Sequence, residues 1–382
     1  MPGFQPFAGV RYATSDGSLD HLVAPPYDVI SPDDRARLVA LDEHNAVRIE
    51  LPADEDGRDR YEVAAGLWRQ WRDEGVLVTE DAPSFYAYRM SFTDETGAPR
   101  QTLGVLGALE LSHPGEAGIL PHERTTSKDK ADRLNLLRAC RANLSPIWGL
   151  SLAEGLSSLL LTDAEPDARA TDEDGVVHEL WRVENPLITE SVASAPIVIA
   201  DGHHRYETAL AFREEDGSVG SQYVLCYVVE LTDEQLAVGP IHRLISGLPD
   251  GFDMAAALAP FFDMAPVDSP PRRGSMALIT RDGVWTLDPK ADTVANAEAD
   301  LDSARLDVAV AALPEGVTLK FQHGVDLVSA AVDKGEAQAA VLLRPATVEQ
   351  IAATGHGGER MPPKTTFFFP KPRTGMVFRA LD

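Results

Sequence analysis

The stretch Pro196-Ile-Val-Ile-Ala-Asp-Gly-His-His-Arg-Tyr-Glu-Thr-Ala209 begins as an unbroken apolar run and then turns abruptly polar. Residues 196–200 have the length and composition of a buried strand, whereas the residues from Tyr206 onward have the amphipathic spacing of a helix. A strand, a glycine-containing turn and a helix in this order are typical of sheets covered by helices. We therefore predict a mixed α/β (α+β) fold in which residues 201–205 end a strand and open a helix.

The same junction concentrates groups that bind phosphates and move protons. Gly202 and His203 would present backbone N–H groups at the positive end of a helix dipole, and Arg205 adds a planar donor fork suited to phosphate. Asp201 has the chemistry of a general base, and His204 can donate or accept a proton. The alternative is a capped helix start, with a solvated arginine and two histidines that bond to the backbone.

A second polar segment, Pro121-His-Glu-Arg-Thr-Thr-Ser-Lys-Asp-Lys130, precedes a predicted helix over residues 128–143. Its bases Arg124 and Lys128 suit a polyphosphate, and Glu123 suits an acid or base role. A solvated capping loop is an equally open interpretation. A third segment, residues 364–371, interleaves lysines with phenylalanines and is typical of a strand packed on one face, with a phosphate contact from a lysine as the alternative.

Other local signals predict further elements. Ser31-Pro-Asp-Asp34 has the residues of a capped helix start, and residues 59–74 carry apolar side chains at helical spacing. Residues 85–92 and 101–111 have the pattern of strands, and short strands and helices alternate beyond residue 276. The run 268–274, rich in proline and arginine, is predicted to be a linker.

Composition narrows the class of protein. The 382 residues suit two or three domains, and 60 acids against 34 bases leave a net charge of −26, which argues against a nucleic-acid partner. Cys140 and Cys226 lie far apart and predict neither a disulfide framework nor a structural zinc site. No apolar run approaches the roughly 20 residues of a membrane span. From these features and the lack of a signal-like N-terminus, we expect a cytoplasmic protein without a membrane partner.

Four segments in order resemble the bacterial and archaeal family called domain of unknown function 1015. They are Val23-Ala-Pro-Pro-Tyr-Asp-Val-Ile-Ser31, Leu120-Pro-His-Glu-Arg-Thr125, Ala200-Asp-Gly-His-His-Arg-Tyr206 and Met361-Pro-Pro-Lys-Thr-Thr-Phe-Phe-Phe-Pro-Lys371. The resemblance covers nearly the whole chain. It implies little about function, because that family is poorly characterised.

The junction, in which a strand is followed by Asp-Gly-His-His-Arg and then by a helix, has a second and more distant resemblance. It is similar to the ParB/sulfiredoxin fold, which includes free-serine kinases. The resemblance implies a ParB/sulfiredoxin-like core at residues 112–246, with an N-terminal α/β region (1–111) and a C-terminal α/β domain (247–382). It also implies that the junction binds nucleotide phosphates, that Asp201 activates a hydroxyl, and that an upstream glutamate assists. Glu123 is the best upstream match. Sulfiredoxin chemistry would need a cysteine at the junction, where this chain has His204.

Together these features predict a nucleotide-dependent phosphotransferase that uses ATP or ADP with Mg²⁺ on a small hydroxylated metabolite. The expected catalytic residues are Asp201, Glu123 and His204, and the expected nucleotide-binding residues are Gly202, His203, Arg205, Arg124 and Lys128. Metal ligands and oligomeric state stay open. The sequence has neither a Walker A motif nor a kinase-type glycine-rich loop. The alternative is a non-catalytic, nucleotide-binding regulatory protein of the same fold.

Overall fold

The computed structural model describes residues 1–94, 97–113, 116–121, 127–232, 237–272, 274–357 and 364–382, and only the backbone at 121, 127–129, 237, 352 and 354–357. The strands are β1 (Phe4–Gln5), β2 (Val10–Tyr12), β3 (Leu77–Thr79), β4 (Phe85–Thr93), β5 (Pro99–Glu110), β6 (Ile119–Pro121), β7 (Ala142–Asn143), β8 (Ile147–Ser151), β9 (Ala168–Thr171), β10 (Val177–Val183), β11 (Ile197–Asp201), β12 (Tyr223–Glu230), β13 (Ala237–Pro240), β14 (His242–Ser246), β15 (Phe262–Val267), β16 (Met276–Thr280), β17 (Gly283–Pro289), β18 (Thr318–Gln322), β19 (Ala339–Leu342), β20 (Thr366–Phe369) and β21 (Arg379–Ala380). The α-helices are α1 (Pro32–Leu41), α2 (Val47–Glu50), α3 (Arg60–Asp73), α4 (Ser127–Cys140), α5 (Leu187–Ala193), α6 (His203–Asp216), α7 (Met254–Leu258), α8 (Ala291–Asn296), α9 (Asp302–Val310), α10 (Val325–Asp333) and α11 (Val348–Gly357).

The chain forms two compact units, and the predicted mixed α/β fold is confirmed. The first unit comprises Met1–Ala237 together with Pro370–Asp382, and the second comprises Val238–Phe369. The finer division into regions 1–111, 112–246 and 247–382 stays a prediction. In the part of the chain that the structure describes, no helix has the length and apolar content that a membrane crossing requires.

The first unit is built on one large mixed sheet. Its strand order is β6-β11-β8-β12-β5-β4-β10-β9, and β1 pairs with β5. Strand β11 lies between β6, to which it runs parallel, and β8, to which it runs antiparallel. Ile197, Val198 and Ile199 have no solvent exposure, because both faces of β11 are covered. An apolar run without alternation is the expected sequence of such a strand.

Several local predictions in the first unit are confirmed at the level of single residues. Ser31 caps α1, where its Oγ accepts the Asp34 N–H and the Asp34 side chain bonds back to Ser31. Asp59 caps α3 by accepting the backbone N–H groups of Tyr61 and Glu62. Helix α4, however, ends at Cys140 rather than at Asn143. The backbone of Arg141 has φ 47°, a left-handed conformation that a helix cannot continue through.

The second unit contains an antiparallel sheet with the order β15-β17-β16-β19-β14-β18. One face packs Leu278 and Val341 against the apolar side of α9, and the other packs Ile279 against α10. Residues 268–274, predicted to be a linker, lie in sequence between β15 and β16, which belong to this one sheet and are separated in it by β17. The run therefore connects two strands of one sheet and does not separate two domains.

Candidate functional site

The polar junction lies where the sequence predicts it, at the end of β11 and the start of α6. Asp201 is the last residue of the strand, His203 is the first of the helix, and Gly202 connects them with φ 86°. Glycine is needed there because that conformation strains other residues. An added Cβ would also lie 3.0 Å from Ile147 Cγ2 and 3.2 Å from Arg205 Cζ. The first turn of α6 thus starts beside the Asp201 carboxylate, with its initial N–H groups at the helix end.

Each oxygen of the Asp201 carboxylate contacts a cation. Lys371 Nζ bonds to Oδ1, and Arg205 Nη2 donates to Oδ2 at 2.7 Å. The three side chains are 14%, 13% and 10% exposed for Asp201, Lys371 and Arg205 respectively. Burial by itself raises the pKa of Asp201, but the charges of Lys371 and Arg205 outweigh it and hold that pKa well below its usual range. Asp201 is therefore ionised at any physiological pH.

Arg205 is anchored on a second side as well. Its Nη1 donates to the carbonyl of Pro146, in the turn between β7 and β8. Its Nε is buried and has no hydrogen-bond partner among the described residues. Burial opposes its charge, but Asp201 raises its pKa, so the guanidinium stays protonated. Arg205 is thus a fixed cation whose buried Nε–H has no partner among the described residues.

A second carboxylate, that of Glu50, interacts electrostatically with Arg205 and is 2% exposed. Its Oε1 accepts a 2.8 Å hydrogen bond from Ser145 Oγ and lies 3.8 Å from Arg133 Nη1. Burial raises the pKa of Glu50, and the charges of Arg133 and Arg205 act against that rise. The Arg133 guanidinium also stacks over the ring of Tyr27, 4.1 Å from its centroid. Residues of the Val23–Ser31 segment and of α2 thus form one wall of the site.

The C-terminal segment that carries Lys371, residues 370–382, is held by a buried polar network. Tyr88 Oη is 2.8 Å from His178 Nδ1, and His178 Nε2 is 3.0 Å from Asp172 Oδ2. Arg373 donates from Nε to the same Asp172 oxygen at 3.0 Å, and its backbone N–H donates to Tyr88 Oη at 3.1 Å. These partners indicate a neutral His178 that donates from Nε2 and accepts at Nδ1. Burial lowers the pKa of His178, in agreement with that tautomer.

The structure brings together only part of the predicted site. Asp201, Gly202, His203 and Arg205 share the junction, where His203 is buried and His204, beside it, is half-buried. Glu123 and Arg124 lie outside the described residues, and of Lys128 only the backbone in α4 is described. Of the two candidate lysines in the third polar segment, Lys371 reaches Asp201. Lys364 belongs to the second unit, where its carbonyl accepts a bond from Arg243 Nη1 at 2.9 Å.

Sequence reasoning missed the wall formed by Glu50, Ser145 and Arg133. No pattern around Glu50 marks it, since it ends a four-residue helix in an ordinary apolar context. The family-like segment Val23–Ser31 is the sequence feature that could have pointed to this wall. Ala24 and Thr374 exchange backbone hydrogen bonds of 3.0 and 2.8 Å, which join that segment to the one that carries Lys371. Two of the four family-like segments therefore meet beside the junction.

The family model described as "Protein of unknown function (DUF1015)" matches residues 4–309. No curated protein matches the chain. A conserved hypothetical protein from Pyrococcus furiosus is similar over 69% of this chain and 92% of its own, at 14% identity and a TM-score of 0.38. A free serine kinase in complex with AMP is similar over 66% of this chain and 83% of its own, at 12% identity and a TM-score of 0.37. C-terminally truncated SbnI from Staphylococcus aureus is similar over 71% of this chain and 86% of its own, at 12% identity and a TM-score of 0.41.

Proposed function

We propose that this chain, which belongs to the DUF1015 family, is a nucleotide-dependent phosphotransferase that acts on a small hydroxylated metabolite. One observation carries the proposal. An ionised Asp201 lies between Lys371 and Arg205 at the amino end of α6, so that a candidate base and candidate phosphate ligands share one small volume. Phosphoryl transfer needs chiefly positioning and charge neutralisation, and both can come from such a cluster.

The phosphate ligands would be the backbone at Gly202 and His203 together with Arg205. An α-helix of this length presents its first N–H groups and a positive dipole end to an anion. Arg205 adds a donor, Nε, that is buried and lacks a partner among the described residues. Arg124, which precedes α4 in sequence, and Lys128, in the first turn of α4, are proposed to contribute as well. These groups suit the polyphosphate of ATP or ADP.

Asp201 is proposed to accept the proton of the acceptor hydroxyl, assisted by Glu123 and His204. Glu123 lies outside the described residues, and its part in the reaction stays a prediction from the sequence. Free serine is the first acceptor to test, followed by other small hydroxylated metabolites.

Mg²⁺ is expected to enter with the nucleotide. Among the residues that the structure describes, no group of three or more His, Cys, Asp or Glu side chains is placed to hold a metal ion. Mg²⁺ is usually bound by one or two carboxylates plus substrate phosphates, and most of its ligands are proposed to come from the nucleotide. When bound, Mg²⁺ neutralises charge on the transferring phosphoryl group.

A nucleotide-binding regulatory protein is the second candidate, and one observation favours it. Both oxygens of Asp201 are occupied by cations, so the site is prepared for an anion while its carboxylate is not free to take a proton. Such a protein would bind nucleotide and transfer nothing. Both candidates therefore predict nucleotide binding, but only the phosphotransferase predicts phosphoryl transfer.

The decisive experiment measures binding and transfer in the same preparations. Thermal unfolding is recorded with ATP, ADP, CTP and pyrophosphate, with and without Mg²⁺, because a ligand that binds only the folded state raises the apparent stability. Transfer is then measured from each nucleotide to free serine and a panel of small alcohols. The phosphotransferase binds and transfers, and the regulatory protein binds only. Wild-type protein that binds none of the four ligands would contradict both candidates.

Arg205→Ala is the diagnostic variant, with Arg138→Ala as its control. Losing a charge-assisted phosphate contact costs roughly 1.5–3 kcal/mol, or about ten- to a hundredfold in affinity. Arg138 pairs with Glu215, twelve residues beyond His203 along α6 and thus roughly 18 Å from the helix start. Its loss should leave nucleotide affinity unchanged. Equal affinity in wild type and R205A would remove Arg205 from the nucleotide site.

A further inference from the structure

A cavity of about 300 Å³ lies in the second unit, where the chain enters α9 and where it leaves β19. Asp300 and Leu301 lead into α9 and line one side, and Leu343 and Arg344 follow β19 and line another. The volume is at the lower end of the range for small-molecule sites. The cavity belongs to the second unit alone, whereas Asp201 belongs to the first.

The buried carboxylate of Asp302, the first residue of α9, anchors the charged lining of this cavity. It is 5% exposed and accepts Arg344 Nε at 2.8 Å, Arg344 Nη2 at 2.7 Å and Arg305 Nη1 at 3.0 Å, together with the Arg344 backbone N–H at 3.0 Å. Burial by itself raises the pKa of Asp302, but the bonds from Arg344 and Arg305 outweigh it and lower that pKa. Asp302 is therefore ionised, and its acceptor positions are filled by the protein.

Arg344 uses one edge of its guanidinium on Asp302 and keeps the other edge. Its Nε and Nη2 form the bidentate pair, whereas Nη1 has no hydrogen-bond partner among the residues that the structure describes. The side chain is 42% exposed and lines the cavity. Its hydrogen bonds to Asp302 raise the pKa of Arg344, so the group stays a cation. A charged donor is thus available to a ligand carboxylate.

Asp300 offers the opposite charge at the same cavity. Arg305 Nη2 bonds to Asp300 Oδ1, and within the described parts of the chain Oδ2 has no partner. The Asp300 side chain is 78% exposed, while its backbone carbonyl accepts a 2.6 Å hydrogen bond from Gln350 Nε2. Asp300 also acts electrostatically on Arg344, so the two groups lie within range of one small ligand. A carboxylate oxygen is thus available to a ligand ammonium.

The charge balance of the cavity decides between classes of ligand. Two arginines and two aspartates line it, so the charged side chains of its lining cancel. A simple anion at Arg344 would be repelled by Asp300 and by Asp288, which both act on Arg344. A simple cation at Asp300 would be repelled by Arg344. A molecule that carries both charges gains an attractive contact at each group.

We propose that this cavity is a binding site for a free α-amino acid with an aliphatic side chain. Arg344 Nη1 binds the carboxylate of the ligand, and Asp300 Oδ2 binds its ammonium group. Arg305 bonds to both Asp300 and Asp302 and so holds the two sides of the site together. The apolar part of the lining, which includes Leu301, suits an aliphatic side chain. The site adds no step to the proposed phosphoryl transfer.

The binding test compares ligands that differ by one charged group. L-alanine, L-valine, L-leucine and L-isoleucine are titrated into the full-length protein by calorimetry. The amino acid that binds most tightly is then compared with its own deamino and decarboxy analogues. None of these compounds has an alcohol group, so none is an acceptor in the proposed transfer. We expect each analogue to bind at least about tenfold more weakly than the amino acid.

Two variants, D300N and R344K, test the proposed contacts. D300N removes the partner of the ammonium group at an exposed position, and R344K removes the donor fork while it keeps a positive charge beside Asp302. Arg272 and Asp326 form a 2.8 Å ion pair in the same unit, are 74% and 77% exposed and do not line the cavity. R272K and D326N are therefore the matched controls. Circular dichroism and thermal unfolding confirm that each variant folds.

We expect D300N and R344K each to bind the amino acid about tenfold more weakly than wild type, and the two controls to bind as wild type does. D300N should not weaken binding of the deamino analogue, because that analogue has no ammonium group. Equal weakening of both ligands in D300N, or equal affinity of D300N and wild type for the amino acid, would overturn the inference. Wild type that binds none of the four amino acids would also overturn it and leave the proposed function standing.

Discussion

Ser145 and Glu50 are joined by a 2.8 Å hydrogen bond from Oγ to Oε1, and the residue after Ser145 accepts a bond from Arg205. Two adjacent residues of the β7–β8 turn therefore connect the buried Glu50 to the guanidinium that holds Asp201. The contact spans 95 positions of sequence. Because Ser145 is 7% exposed and Glu50 2%, solvent cannot replace the bond if either partner is removed.

Ser145→Ala should lower the free energy of unfolding by about 1–3 kcal/mol, because it leaves a buried carboxylate oxygen without its donor. Urea denaturation of S145A, E50Q and the double variant forms the test. In the double variant part of the loss should be recovered, since the unsatisfied carboxylate is gone. Strictly additive losses, or an S145A variant as stable as wild type, would show that the bond contributes nothing.

Gly202→Ala should destabilise the protein more than Gly217→Ala, although both glycines flank α6 with positive φ, 86° and 66°. Each alanine would carry the left-handed strain of about 1–2 kcal/mol. Only at Gly202 would the new Cβ meet Ile147 and Arg205 within 3.2 Å, whereas nothing lies within 4 Å at Gly217. Thermal and urea unfolding measure the difference. Pyrophosphate affinity should fall in G202A alone, and equal behaviour of the two variants would contradict crowding at the junction.

Arg373→Met should cost about 3–5 kcal/mol, because it leaves the Asp172 carboxylate buried without its cation. That carboxylate is 3% exposed, and although burial raises its pKa, His178 and Arg373 hold the pKa well below its usual range. R373M/D172N should recover much of the loss, since no charge is stranded. The readout is the urea midpoint at pH 7 for both single variants and the double variant. A double variant less stable than R373M would argue that the pair itself stabilises the fold.

His242 should make the second unit less stable as the pH falls from about 6.5 to about 4. Burial and the neighbouring Arg243 lower the pKa of His242 to about 4, while the unfolded chain protonates near its ordinary value of about 6.5. Between those two pH values the unfolded state binds the extra proton. The free energy of unfolding therefore decreases as the pH is lowered, by about 3 kcal/mol over the whole window. Below pH 4 the loss from this group is complete.

His242→Asn is the control for that pH dependence. His242 Nδ1 accepts the Leu343 N–H at 3.1 Å, and an asparagine oxygen can accept the same bond without titrating. Urea denaturation at pH values from 4.5 to 7.5 should therefore show a shallower pH dependence in H242N than in wild type. Identical slopes would mean that other groups cause the acid sensitivity.

Local sequence patterns were enough for the elements whose causes are local. The apolar run before Asp201 predicted β11, Ser31 and Asp34 predicted the start of α1, and the spacing of apolar residues predicted α3. The end of α4 was predicted too late, because its apolar spacing continues past Cys140 while Arg141 turns left-handed. Tertiary packing overrode the pattern at that point, since residues 142–143 pair with the C-terminal strand β21.

Local sequence was enough to predict a strand that passes through Gly202 into a helix with Asp201 and Arg205 at the junction, because strand burial, helix periodicity and the need for glycine at positive φ act over a few neighbouring residues. The groups that contact Asp201 and Arg205 depend instead on long-range packing. Lys371 lies 170 positions from Asp201 along the chain. Burial and charge bring such distant groups together through the whole sheet, and no local pattern records which cation will reach a given carboxylate.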